Sequence, residues 1–169
     1  DVYANVTLAA ATGIAGLSIE DSTGDDEQPL YDFDLAVSRV QAARRAIDDS
    51  GTGIVLTGRS EGFVCGHPDI DETTRRLSAY AEAGADCLYA PRIDSIDQVA
   101  AVVAAAAPKP VNLLINAPFM TVADAADLGV RRISVGGTLA RSAWGGFLEA
   151  AQEIADSGTF SRFARLPNV

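Results

Sequence analysis

The sequence predicts an α/β fold built on a parallel sheet, and three observations lead there. Short apolar runs of strand type alternate with helical patterns along the chain, each run is continuous as when both faces of a parallel sheet are covered, and glycine or proline marks most junctions. About five βα units follow one another. Right-handed crossovers turn such a series into either an open doubly wound sheet or part of a closed barrel. Periodicity alone does not choose between them.

In chain order, Val2, Val6, Ala9 and Ala10 run at helical spacing toward Gly13. The chain therefore opens just before a helix, and the strand preceding that helix is expected to be absent. Gly16-Leu17-Ser18-Ile19 reads as a strand ending in Glu20-Asp21, followed by an aperiodic polar loop from Ser22 to Gln28. Asp34 is expected to cap a helix carrying Leu35, Val37, Val40, Ala43 and Ile47, which ends at Gly51 to Gly53. The strand Ile54 to Gly58 ends in Arg59, and a loop from Ser60 to Pro68 leads to a helix over Asp71 to Ala83 that stops at Gly84. Asp86 to Ala90 is the next strand. Ser95 and Gln98 have the spacing of a capping box before Val99, Val102 and Val103, and Pro108 closes that helix. Val111 to Ile115 is a strand, Thr121 caps a short helix through Leu128, and Gly129 leads into the strand Arg132 to Val135. Gly136-Gly137-Thr138 opens a last helix with Leu139, Phe147, Leu148, Ala151 and Ile154 on it.

Of the 169 residues 48% are hydrophobic and 21% charged, enough apolar material for one core, and no linker divides residues 1–169. A net charge of -10 repels a polyanion, so nucleic acid is not an expected partner. Cys65 and Cys87 are too few for a disulfide framework, and Cys87 lies in an apolar run; the cytoplasm is the expected compartment. No apolar stretch reaches the roughly 18 residues of a membrane span, so no membrane association is expected. The stretch from Val99 to Ala107 is alanine-rich and reads as a buried helix face.

In a parallel sheet, ligands gather at the carboxyl ends of the strands. The polar residues there are Glu20, Asp21, Arg59, Glu61, Asn112, Asn116 and Gly136-Gly137. Glu20 and Arg59 come from adjacent predicted strands. A carboxylate beside a guanidinium suits a site for a divalent cation and an anionic substrate, or forms an ordinary rim ion pair.

The string Gly13-Ile14-Ala15-Gly16-Leu17-Ser18-Ile19-Glu20-Asp21 resembles the Gly-x-x-Gly-x-x-Ile-Glu-Asp strand of the phosphoenolpyruvate mutase/isocitrate lyase superfamily. Thr57-Gly58-Arg59-Ser60-Glu61 is similar to that family's Ala-Arg-Thr-Asp strand end. Tyr80 to Asp86, Pro110-Val111-Asn112 and Leu128 to Ser134 continue the match in order over nearly the whole chain. The resemblance implies a parallel (β/α)8 TIM-type barrel, of which this chain supplies about the last five βα units, so that residues 1–169 form one partial barrel domain. A complete barrel takes about 250 residues, and about three units are expected outside the chain.

The implied enzyme is a lyase or phosphonomutase using Mg²⁺, in which an enolate-like oxyanion of a small 2-oxo or 2-hydroxy carboxylate is stabilised while a carbon–carbon or carbon–phosphorus bond breaks or forms. Arg59 is the implied catalytic residue, clamping the substrate carboxylate or phosphonate. Asn112 would bind substrate, and Glu20 would be an outer-shell metal partner acting through water. The metal's first-shell aspartates are expected outside this segment. A homo-oligomer is implied too, with Trp144 and Phe147 of the last helix packing on a neighbour, although both could instead cover their own barrel.

Two departures stand out. The lyase branches carry a Cys-Gly-His triplet in the loop after the Glu-Asp strand. Here Ser22 to Phe33 holds neither Cys nor Lys, and Cys65-Gly66-His67 follows the Arg59 strand instead. Pro91 stands where several members place a His or Glu, and offers no side-chain donor or charge. His67, the only histidine, reads as an exposed loop residue. Two alternatives stay open: an inactive scaffold, and a barrel binding a phosphorylated metabolite at Gly136-Gly137.

Overall fold

The computed structural model describes residues 1–167, which fall into two compact units divided after Ser134. The first contains α1 (Val2–Ala10), β1 (Gly16–Glu20), α2 (Phe33–Ser50), β2 (Val55–Arg59), α3 (Ile70–Glu82), β3 (Cys87–Tyr89), α4 (Ile96–Ala106), β4 (Val111–Leu114), α5 (Val122–Asp127) and β5 (Arg132–Ser134). The strands pair in parallel in the order β1-β2-β3-β4-β5. Strictly sequential order settles what periodicity left open. A doubly wound sheet reverses direction at a switch point, whereas crossovers of one hand that always advance in one direction build a barrel wall. The unit is a five-stranded parallel α/β sheet of that barrel type.

Side chains alternate across each strand, and the alternation separates two chemistries. Toward the helices point Leu56, Leu88, Val111 and Leu113, all buried, against Val40, Ile47, Leu77, Tyr80, Val99 and Val102. Gly58 lies on the same side. A Cβ there would stand 2.9 Å from Tyr80 Cβ and 3.2 Å from Ala85 Cβ, so the missing side chain is what lets α3 approach β2. The other face is polar rather than continuously apolar, the first departure from expectation. Strands of three to five residues offer only one to three positions per face, too few for the sequence to display the alternation.

Local signals corrected several boundaries. α2 begins at Phe33 behind Asp32, not behind a cap at Asp34; Asp34 sits in the first turn, where its charge suits the helix dipole. Its buried stripe is Ala36, Val40, Ala43 and Ile47, and Leu35 is exposed. Asp69 caps α3 by accepting from Glu72 N at 3.0 Å. The Ser95 capping box is half formed. Ser95 Oγ accepts from Gln98 N, but Gln98 Oε1 accepts from Asp94 N. The complete box is Thr121 with Asp124. The polar loop after β1 is held by the Ser22 to Leu30 bridge, with Thr23 N donating to Pro29 O and Tyr31 N to Asp21 O.

The second unit contains α6 (Thr138–Ser157) and a 3₁₀ turn at Ser161–Arg165. Glu153 ties them together, accepting from Thr159 Oγ1, Ser161 N and Arg162 N. Those bonds hold its carboxyl down to a pKa of about 2. No residue of α6 is buried. Among the described residues no helix is long and apolar enough to cross a membrane.

Candidate functional site

The four strand pairings join into one line. Glu20 is opposite Arg59, Arg59 opposite Tyr89, Tyr89 opposite Asn112, and Asn112 opposite Arg132. Register partners in a parallel sheet share a face, so one row of polar and aromatic side chains crosses all five strands opposite the helices. It starts at the carboxyl ends of β1, β2 and β3 and ends at the first residue of β5. The sequence-based candidates Glu20, Arg59 and Asn112 are thus brought into one row. Tyr89 and Arg132 were missed. Their only signal is the alternation in Cys87-Leu88-Tyr89 and Arg132-Ile133-Ser134, visible once the register is known.

Arg59 is held from three directions. Glu61 takes its side-on fork, accepting from Nε and, at 3.0 Å, from Nη2. Glu20 Oε2 stands 3.4 Å from Nε, and the Tyr89 ring lies beneath the guanidinium at 5.2 Å. Glu61 takes only one of the two Nη2 hydrogens, so the end-on pair formed by the other and Nη1 is left to match a carboxylate or phosphonate. Burial works against the arginine's charge, but the Glu61 carboxylate overcomes this and raises its pKa. Glu61 is 3% exposed. Burial pushes its pKa up, and Arg59 only partly offsets that.

Asp21 has a different task. Buried at the end of β1, it accepts from Glu61 N at 2.7 Å, Tyr80 OH at 2.7 Å and Arg76 Nη1 at 3.2 Å. It locks the β2–α3 loop and α3 to β1, with both oxygens engaged by the protein. Burial first, and then the Asp21 charge, raises the Tyr80 pKa. Arg76 also binds Glu72 and the Tyr31 carbonyl.

Asn112 bonds two side chains of β5. It lies 2% exposed inside β4, accepting at Oδ1 from Arg132 Nε (2.8 Å) and donating from Nδ2 to Ser134 Oγ (3.0 Å). Asn116 is exposed. Cys65 reaches back to the β1–α2 loop, its Sγ 3.9 Å from Ser22 Oγ, while His67 is exposed and makes no bond to it. Gly136 has φ +52° at the turn into α6, which accounts for glycine there. A separate cavity of about 470 Å³ is lined by Leu30, Ser60, His67, Thr73 and Arg76.

Among the described residues no group of three or more His, Cys, Asp or Glu side chains could hold a metal ion. Of the three carboxylates at this rim, Asp21 and Glu61 have both oxygens engaged, and Glu20 alone keeps one without a partner among the described residues. That oxygen is free to accept a hydrogen bond from water, as the outer-shell role expected of Glu20 requires.

The model of the family described as phosphoenolpyruvate phosphomutase matches residues 1–155. A lyase/mutase candidate from Burkholderia cenocepacia J2315 is 42% identical with a TM-score of 0.92, covering 98% of this chain and 60% of that one. Phosphonopyruvate hydrolase is 29% identical (TM-score 0.79, 99% and 60%), and 2,3-dimethylmalate lyase 26% (TM-score 0.81, 95% and 57%). An uncharacterised protein of Mycobacterium tuberculosis is 29% identical over 154 residues, 90% of this chain and 56% of the relative. The chain therefore spans somewhat over half the length of the proteins it matches. With the family model covering all but its last residues and the strand order agreeing, the chain belongs to the phosphoenolpyruvate mutase/isocitrate lyase superfamily.

Proposed function

We propose that this chain supplies part of the active site of a lyase or mutase that makes or breaks a carbon–carbon or carbon–phosphorus bond in a small 2-oxo or 2-hydroxy carboxylate. The observation that supports this reading most is the end-on fork of Arg59, left open while Glu61 fixes the rest of the guanidinium in plane. A substrate carboxylate or phosphonate would dock there by two parallel N–H···O bonds, with Asn112 donating to another substrate oxygen. Glu61 keeps Arg59 in place, and Tyr89 supports the guanidinium from below. Magnesium, when bound, supplies positive charge against an enolate-like oxyanion. Glu20 would accept from water on that ion. The two free cysteines agree with a reducing, cytoplasmic setting.

The test is a calorimetric titration of oxalate, shaped like pyruvate enolate, into the full-length protein with and without Mg²⁺, repeated with Arg59→Ala. Metal-dependent binding that weakens by on the order of 100-fold in the variant, the loss of a bidentate charged contact, supports the reading. No binding under any condition moves the assignment to an inactive scaffold, for which the missing Cys and Lys of the 22–33 loop already speak.

The enzyme is further proposed to be a homo-oligomer assembled through α6. That helix exposes Leu139, Trp144, Phe147 and Leu148, with the Trp144 and Phe147 rings edge to face at 5.4 Å. Light scattering after size-exclusion chromatography tests this. Trp144→Ser with Phe147→Ser should shift the mass toward the monomer, and an unchanged mass contradicts it.

A further inference from the structure

The far end of the row is the least explained part of the site. Arg132 donates from Nε to Asn112 Oδ1 and from Nη2 to Thr57 Oγ1 at 3.2 Å. Among the described residues it has no carboxylate within ion-pair distance. Arg132 is exposed at the start of β5, so water solvates its charge, and its distinguishing feature is that its guanidinium reaches from β5 to β2 across the polar face. Its effect on Asn112 is specific. An arginine N–H can only donate, so the amide oxygen must face Arg132, and the NH₂ group must face the other way. One of its hydrogens goes to Ser134 Oγ. The other has no acceptor among the described residues, although Asn112 is 2% exposed. An amide NH₂ has two hydrogens to donate, so this one is available to an acceptor.

We propose that Arg132 is a positioning residue that holds Asn112 as a dedicated hydrogen-bond donor, so that the site selects an anionic oxygen at that point of the substrate. The charge-assisted bond to Oδ1 polarises the amide and strengthens its free N–H as a donor. An asparagine free to flip would offer C=O and NH₂ equally and would tolerate a neutral donor group on the substrate. With Arg132 present, the C=O is turned toward the guanidinium and the NH₂ away from it. The inference rests on the reading that this face binds a small carboxylate.

Two readouts test it and separate its failure from that of the parent reading. Oxalate affinity in Mg²⁺ buffer is measured for the full-length protein, Asn112→Leu, Arg132→Met, Arg132→Lys and the Asn112→Leu/Arg132→Met pair. Each single apolar variant should lose on the order of tenfold. The pair should lose no more than either alone, because both remove one donor. Lysine, which can still donate to Oδ1, should restore part of the affinity. In parallel, the side-chain NH₂ protons of Asn112 are followed by NMR in the ligand-free protein, and should exchange with solvent faster in Arg132→Met but not in Arg132→Lys. Additive losses, or Asn112 protons indifferent to Arg132, overturn the proposal while leaving oxalate binding intact. Wild-type protein that binds no oxalate sinks the enzymatic reading instead, and the NH₂ exchange rates alone then decide whether Arg132 fixes Asn112. If Arg132→Met does not fold, Arg132→Lys and Asn112→Leu still decide: equal affinity in Asn112→Leu and wild type overturns the donor role.

Discussion

The two faces of the sheet are built from the same short strands and do opposite things. Toward the helices, Leu56, Leu88, Val111 and Leu113 close an apolar core with no polar interruption. On the other face, Glu20, Arg59, Tyr89, Asn112 and Arg132 form a single row in which Arg59 meets Glu20 and Tyr89, and Arg132 holds Asn112. Hydrophobic burial is non-directional and fixes the wall, whereas the row depends on donor and acceptor geometry and fixes orientation. Mutations on the first face should therefore change stability, and those on the second should change binding.

The largest expected effect lies on the helix side. Leu88→Ala or Leu113→Ala should cost about 2–5 kcal/mol in urea denaturation, the usual range for a cavity where neighbours relax only partly. A loss well under 1 kcal/mol would show that this face is not the tight core described. Next comes Asp21→Ala, which leaves the buried Tyr80 hydroxyl without its acceptor and takes one of three partners from Arg76. It should cost about 1–3 kcal/mol, placing Asp21 with the scaffold despite its neighbour Glu20. Retained stability together with lost oxalate binding would move Asp21 to the functional face.

The pH dependence sharpens the contrast further. Glu61 has its carboxyl raised by burial, so its contribution to stability is fully present below the ordinary glutamate value of 4.5 and is lost as pH rises through its higher folded value. Relative to wild type, Glu61→Gln should become progressively more stable as pH rises from 4.5 to the raised folded value, and the difference should level off above it. Glu72 behaves oppositely: hydrogen bonds from Arg75 and Arg76 lower its pKa, so its contribution exists above 4.5 and fades as pH falls through the lowered value. Being partly exposed, it is the smallest effect, about 0.5 kcal/mol for Glu72→Gln at neutral pH. Chemical denaturation of both variants between acidic and neutral pH measures the two slopes, and slopes of the same sign would contradict the burial assigned to Glu61.

The wall was legible because its signals are local. Apolar runs, the Thr121 cap and the stop at Gly84 each depend on a few adjacent residues, and they placed every strand within a residue or two. The misses were near-degenerate local choices, such as Asp34 over Asp32 or Leu35 over Ala36 as the buried position. The site was legible only at strand ends, where Glu20 and Arg59 stand beside glycine and acidic neighbours. Tyr89 read as one more apolar strand residue and Arg132 as a strand's first residue. What makes them functional candidates is pairing between strands far apart in sequence, and register is a long-range property that no window reveals. Glu61 was seen as polar, but its grip on the side-on fork of Arg59 could not be, because it depends on the turn that Asp21 locks.

The most direct measurement is a crystal structure of the full-length protein soaked with oxalate and Mg²⁺. One oxalate carboxylate should lie on Nη1 and Nη2 of Arg59, with Glu61 still on the side-on fork and the second carboxylate within reach of Asn112. Oxalate bound instead in the cavity beside Ser60 and Arg76, with the end-on fork of Arg59 unengaged, would contradict the assignment of the register row as the binding face.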